Sequence, residues 1–177
     1  STSFLVMDGH MMRIFSVMYL PNDDHVFLSG GWDDTLQWWD SRVDSRHSVR
    51  RIFGPHICGD ALDILPTNNN ILTGSWRKDN SVQIWDFNSG ELIRDVPDDF
   101  NKSMTYCTQW LADGHIIVGG SDNNMLRMLE QSSTSTVTIG RMVDLPRAVY
   151  TVDNDRSGPH SKIVVGTSNN IYIVQRS

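Results

Sequence analysis

A chain of 177 residues, 39% of them hydrophobic, is long enough for one domain with a proper core. Its formal net charge of −6 argues against a nucleic-acid or acidic-membrane surface, so neither is expected as a partner. No apolar run approaches membrane-spanning length and no cationic-then-apolar leader opens the chain, so a soluble protein is expected. The two cysteines, Cys58 and Cys107, make no disulfide framework and are expected as free thiols, which points to a cytoplasmic or otherwise intracellular, reducing home. The opening Ser1-Thr2-Ser3 carries no initiator Met, which keeps open a processed or excised piece.

In chain order, residues 4–7 read as a short apolar strand followed by Asp8-Gly9-His10. Residues 13–20 form the next strand, closed by the turn Pro21-Asn22-Asp23-Asp24. Residues 25–30 and 35–40 make a hairpin around Trp32-Asp33-Asp34, and 48–53 supply a more polar outer strand. The plan then repeats, with strands at 61–65, 70–74, 81–86 and 91–96. A third unit runs through 105–111, 115–119, 125–130 and 136–141, and a fourth through 148–152, 162–166 and 171–175. Helical periodicity is absent, and Gly, Asn, Asp and Pro clusters punctuate the chain too often for long helices.

The hairpins fall into register on Gly30, Gly74, Gly119 and Gly166, which are 44, 45 and 47 residues apart. A period of that size with several short strands per unit indicates propeller blades rather than helical repeats. The expected fold is all-β, with four antiparallel blades at about 10–54, 56–97, 104–142 and 147–177. The strand at 4–7 is the expected outer strand of the last blade.

The residues Gly9-His10, Ser29-Gly30, Asp33 and Trp39-Asp40 resemble the WD-repeat (WD40) β-propeller family. Blade two keeps His56, Thr73, Asp79 and Trp85-Asp86, with Arg77-Lys78 as apparent insertions. Blade three keeps Asp122 but has Leu129-Glu130 where Trp-Asp would stand, and blade four offers only Ser168-Asn169 and Val174-Gln175. The resemblance implies that the matching His, Ser or Thr, Asp and Trp form a hydrogen-bond network inside each blade. A buried indole N–H, a hydroxyl, an imidazole and a turn carboxylate can form one connected chain, rigidifying when complete. His10, Ser29, Asp33 and Trp39, and likewise His56, Thr73, Asp79 and Trp85, are therefore assigned to structure. A catalytic reading of either His–Asp–hydroxyl set needs an exposed nucleophile.

The remaining constellations are weaker. His56 and Cys58 would share one face of a strand, but no further ligand spacing accompanies them and no metal is expected. Asp153, Asp155 and Ser157 precede Gly158 as in a calcium loop, yet the twelfth position is Val164, where an EF-hand needs Glu. A polar turn explains the same residues. No nucleophile elbow, phosphate loop or dinucleotide fingerprint occurs, and no cofactor is expected. Trp32 and Trp76 follow the hairpin glycines, where they either anchor a partner or fold over the neighbouring blade as packing. With Arg77 and Lys78 they form the candidate partner-binding rim.

Two function classes follow. The first is a non-catalytic protein-interaction scaffold, which the resemblance implies; the second is a small-ligand-binding or enzymatic propeller using the central channel. Sixteen strands make four blades' worth, and a ring of four would set the blades about 90° apart, roughly twice the angle in larger rings. Two chains joined head to tail in a ring of eight, as a homodimer, are expected instead.

Overall fold

The computed structural model describes residues 9–43, 46–98, 100 and 102–175. The expected strand at 4–7 lies outside them. Among the described residues every regular element in the strand and helix order is a β-strand. The first sheet is β1 (Ile14–Leu20), β2 (Asp23–Gly31), β3 (Thr35–Asp40) and β4 (Arg50–Phe53), in that order. The second is β5 (Leu62–Ile64), β6 (Ile71–Gly74), β7 (Val82–Trp85) and β8 (Leu92–Asp95). The third is β9 (Met104–Trp110), β10 (Ile116–Ser121), β11 (Leu126–Gln131) and β12 (Thr136–Met142). The fourth sheet holds β13 (Thr151–Asn154), β14 (Lys162–Gly166) and β15 (Ile171–Gln175). All pairings are antiparallel between sequence neighbours, as hairpins with short connections require.

Local chemistry explains the elements. Asp34, Asn80 and Asp122, in the turns between the two middle strands of the first three blades, sit at positive φ. Short polar side chains are the non-glycine residues that tolerate that region. The outer strands β4 and β8 are mostly exposed, whereas β6 and β7 are buried throughout. In blade two burial therefore falls from the inner and middle strands outward to a polar edge.

Three clusters build the core, each straddling two blades. Leu28, Leu36 and Trp38 of blade one pack on Ile57, Leu62, Ile64, Ile71 and Trp85. Leu72, Val82 and Ile84 of blade two pack on Trp110, Ile116 and Leu129. Cys107, Ile117 and Leu126 of blade three pack on Val149, Val152, Ile163 and Val165. One face of each sheet thus meets the opposite face of the next. The inner strands lie against each other in sequence, β1 on β5, β5 on β9 and β9 on β13, and no comparable contact among the described residues joins β13–β15 back to β1.

The two end blades consequently carry uncovered faces. In the register of blade one, Val17 lies beside Ser29, and Tyr19 beside Phe27 and Trp39. Leu62 and Ile64 hold the matching places in blade two, at 4% and 1% exposed, while Val17 and Tyr19 are 59% and 56% exposed. On the far face of blade four, Val164, Ile171 and Ile173 are 43%, 76% and 73% exposed. Their blade-one counterparts Leu28, Leu36 and Trp38 are at 0%, 0% and 3%.

The aligned glycines set how closely blades approach. A Cβ on Gly119 would lie 2.3 Å from Val149 Cγ1 and 2.8 Å from Cys107 Sγ. On Gly74 it would lie 2.4 Å from Thr105 Cγ2 and 2.9 Å from the Ala61 Cβ. The obstructing side chains are short or β-branched and cannot swing aside. Gly119→Ala is expected to lower stability by about 1–3 kcal/mol, the usual cost of overpacking a filled core. Equilibrium urea unfolding checks it, and an unchanged midpoint would contradict the close approach.

Candidate functional site

In blade one the structure brings His10, Ser29, Asp33 and Trp39 together. His10 Nδ1 lies 2.9 and 3.0 Å from the Asp33 carboxylate oxygens, and His10 Nε2 lies 2.7 Å from Ser29 Oγ. Trp39 Nε1 donates to the same Ser29 Oγ at 2.7 Å. With the indole donating, the Ser29 hydroxyl keeps its own proton for His10 Nε2, and the Nδ1–H faces Asp33. Thr35 Oγ1 donates to Asp33 at 2.8 Å, and the Met11 N–H at 2.9 Å. Burial works against the Asp33 charge, but His10, Thr35 and the Met11 N–H together hold its pKa below the usual carboxylate value. Ser29 is buried and its oxygen is already taken by Trp39, so this Ser–His–Asp set gives an incoming acyl group no approach.

Blade two joins only part of its set. Trp85 Nε1 donates to Thr73 Oγ1 at 2.9 Å, repeating the indole–hydroxyl bond. His56 Nδ1 instead pairs with Asp34 of the preceding blade at 2.6 Å, and Asp79 pairs with Lys102. The reason lies in the longer turn: Arg77 folds back, donating to the Gly54 carbonyl at 2.7 Å and to Gln83 Oε1 at 2.8 Å. Asp79 is carried to the surface and away from His56 and Thr73.

The rim residues divide the same way. Trp32 is stacked on His56, with centroids 6.2 Å apart and planes 12° apart, and lies 5.4 Å from Phe15. It packs over the next blade. Trp76, 36% exposed, leans on Tyr106 of the following blade at 6.2 Å, and Tyr106 meets Tyr150 at 5.0 Å. Arg77 is half-buried in its own blade, and Lys78 is exposed with Asp122 3.3 Å away. A row Trp76–Tyr106–Tyr150 therefore crosses three blades at the start of the inner strands.

Sequence reasoning missed Phe15, Tyr106 and Tyr150. Phe15 and Tyr106 are the extra residues of β-bulges, one between Ile14 and Ser16 opposite Gly31 and Gly30, the other between Thr105 and Cys107 opposite Gly120 and Gly119. A bulge re-aims a side chain that strict alternation would place on the blade face. The only sequence signal was an aromatic near the start of three inner strands.

The residues weighed for metal binding are engaged elsewhere. Asp155 Oδ1 accepts from the Ser157 hydroxyl and from the Ser157 and Lys162 N–H groups, while Asp153 Oδ1 accepts from Asn154 N–H. These are turn bonds. Among the described residues no group of three or more His, Cys, Asp or Glu could hold a metal ion. Cys58 and Cys107 are unpaired, and burial pushes the Cys107 thiol up.

Trp39→Phe and Trp85→Phe each remove an indole donor and leave a hydroxyl short of a partner inside a blade. Both are expected to lower stability by about 1–3 kcal/mol. Thermal and urea melts that match the wild type for both variants would remove the indole–hydroxyl bonds from the stability of the blades.

Residues 1–40 and 48–86 match the family model "WD domain, G-beta repeat". The guanine nucleotide-binding protein subunit beta of Solanum tuberosum is 30% identical over 86 residues, 49% of this chain and 22% of the potato protein. The chain thus spans about a fifth of the length of that curated relative. Among solved structures, the WD40 β-propeller domain of Doa1 superposes with a TM-score of 0.75 at 18% identity, over 97% of this chain and 53% of that one. A chain of the mitotic checkpoint complex gives 0.78 at 18% identity, over 96% and 50%. The first two blades thus match the WD repeat in sequence, and the chain as a whole shares the fold of the WD40 β-propellers.

Proposed function

We propose that the chain is a non-catalytic protein-interaction scaffold that presents the Trp76–Tyr106–Tyr150 row to a protein or peptide partner. The observation that carries this reading is the row itself: three aromatic rings from three blades, tilted against one another and partly open to solvent. Large aromatics held by neighbours supply contact area at low entropic cost and are the commonest interface anchors. Lys78 and Arg77 flank the row as its polar rim, with Trp32 as a packed support. The potato relative is a subunit of a guanine nucleotide-binding protein and one structural neighbour comes from the mitotic checkpoint complex, which supports the same class. A net charge of −6 argues for a protein rather than a nucleic acid or an anionic membrane. Unpaired cysteines support an intracellular, cytoplasmic setting, and the scaffold needs no cofactor.

The scaffold works as half of an eight-bladed ring closed by a second copy. The two uncovered faces are of the two kinds that pack together at every junction inside the chain, so a head-to-tail homodimer repeats an existing interface. Exposed apolar faces of this sort mark association surfaces in water.

Two measurements test these readings. Capture experiments with the wild type, Trp76→Ala and Trp32→Ala are expected to lose the partner with Trp76→Ala at unchanged melting temperature. Trp32→Ala should lower stability first. Equal capture by Trp76→Ala would end the rim assignment. Light scattering across micromolar concentrations is expected to give the mass of two chains for the wild type and of one for Ile173→Asp. A stable, folded wild-type monomer would sink the pair.

A further inference from the structure

Beside the aromatic row the register singles out a carboxylate. Val17, Leu62, Thr108 and Val152 of the four inner strands pair with Ser29, Thr73, Val118 and Val165 of the strands beside them. Two residues before each stand Phe15, Asp60, Tyr106 and Tyr150. Of these equivalent places, those in blades one, three and four hold an aromatic ring, and the one in blade two holds Asp60. Trp32 and Trp76, each two residues after its hairpin glycine, are equivalent to one another in the same way.

Asp60 is tied to three other blades. Its carbonyl accepts the Thr108 N–H at 3.1 Å, and a Cβ on Gly59 would lie 2.2 Å from the Tyr106 carbonyl oxygen, so its backbone runs against that of Tyr106. Its carboxylate accepts from the Ser16 hydroxyl of blade one and feels the Asp153 carboxylate of blade four, yet it stays exposed. Desolvation and the Asp153 charge raise its pKa against the Ser16 bond, and no cation among the described residues acts on it. The cations of this end are engaged elsewhere. The Arg13 guanidinium lies over Phe15 and Trp32, 5.9 and 6.0 Å from the ring centres. Arg77 is folded onto the Gly54 carbonyl and Gln83, and Lys78 stands 3.3 Å from Asp122. Arg147, three residues before Tyr150, is exposed and does not act on Asp60. The charge left without a counter-ion beside the row is therefore negative.

We infer that the row receives an arginine side chain of the partner segment, with its guanidinium paired to Asp60 and its plane laid on the rings of Tyr106 and Tyr150. This rests on the scaffold reading and deepens it, because it gives the partner of the row a chemistry. An exposed carboxylate beside a second carboxylate gains from an incoming positive charge, and the faces of aromatic rings attract one too. A guanidinium serves both needs at once: it grips a carboxylate with two parallel bonds and stacks on rings, which an ammonium does not. Arg13 already sets such a group on Phe15 and Trp32, the places equivalent to Tyr106 and Trp76.

The test is selection of a random peptide phage library on the immobilised chain, with each enriched peptide titrated against variants by fluorescence anisotropy. The expected peptides share an Arg. Citrulline in its place should weaken binding to the wild type about tenfold or more, and Lys by less. Asp60→Asn, which keeps the shape and an acceptor for Ser16, should weaken the arginine peptides about tenfold at an unchanged melting temperature. Against this variant, arginine and citrulline peptides should bind alike. Asp60→Arg should recover binding when the arginine of the peptide becomes Glu. Peptides lost by Trp76→Ala but kept by Asp60→Asn would overturn the inference and leave the scaffold reading standing. Peptides lost by Asp60→Asn but kept by Trp76→Ala would keep the arginine pair and end the part of Trp76. Enrichment of acidic or uncharged peptides, no enrichment, or lysine peptides bound as tightly as arginine ones would overturn the inference.

Discussion

The close approach of one blade's inner strand to the hairpin of the blade before it is the constraint on which the rest depends. At Gly74 and Gly119 the next strand stands where a side chain would begin, on Thr105 and Val149 respectively. Gly30 faces Ile57 in the same way, but Gly166 meets only Thr151 of its own blade. The glycine repeat is thus a record of blade junctions rather than of turns. It lets each sheet lay one apolar face on its neighbour, and the three clusters that form the core are those junctions. Dense packing across them makes the angle between blades a property of the side chains, so the arc is continued by any further blade of the same design.

Given that frame, the fading of the family signature along the chain has a physical account. Where blade one has Ser29 and Trp39, blade three has Val118 and Leu129, and the register puts both pairs at matching places. In blade four the places go to Val165 and Val174. A buried polar network and an apolar plug are alternative ways of filling one volume, since replacing all partners of a buried network by well-packed hydrophobes is often neutral. Half a network is the costly option, and blade two avoids it by sending His56 to Asp34 and closing Gln83 with Arg77.

Much of this was legible in the sequence, for reasons that also mark the limit. The middle strands are short, alternating or wholly apolar runs bounded by Gly, Asn and Asp, so the four sheets and their order could be read directly. The blade-one network was legible because four residue types with interlocking donors and acceptors recur in a fixed order. The bulges at Phe15 and Tyr106 were not, because one extra residue in a strand leaves no mark on composition and reverses the facing of the side chain it adds. Nor was the fate of Arg77 and Asp79, which depends on how a turn two residues longer folds back on its own blade.

The most complete polar network sits in one of the two end blades, while blade four, open on its far face, is filled by Val165 and Val174 instead. Blade one shows its face with Val17 and Tyr19 uncovered, while the matching inner-strand residues of blade two, Leu62 and Ile64, are buried. A blade packed on both sides can be held by apolar fill alone, because dispersion and water exclusion act from each neighbour. A blade packed on one side loses half of that support and is more prone to let its strands part. Linking the segment before β1, the β2 strand, the turn and β3 through His10, Ser29, Asp33 and Trp39 ties one sheet across its width by directional bonds. Stacking of Phe27 on Trp39, at 6.0 Å and 10°, and of Tyr19 against Phe27 continues the tie over the open surface. Blade one is therefore rigid before anything docks on it. The same bonds that stiffen the end blade therefore also hold the side chains of its open face in fixed places.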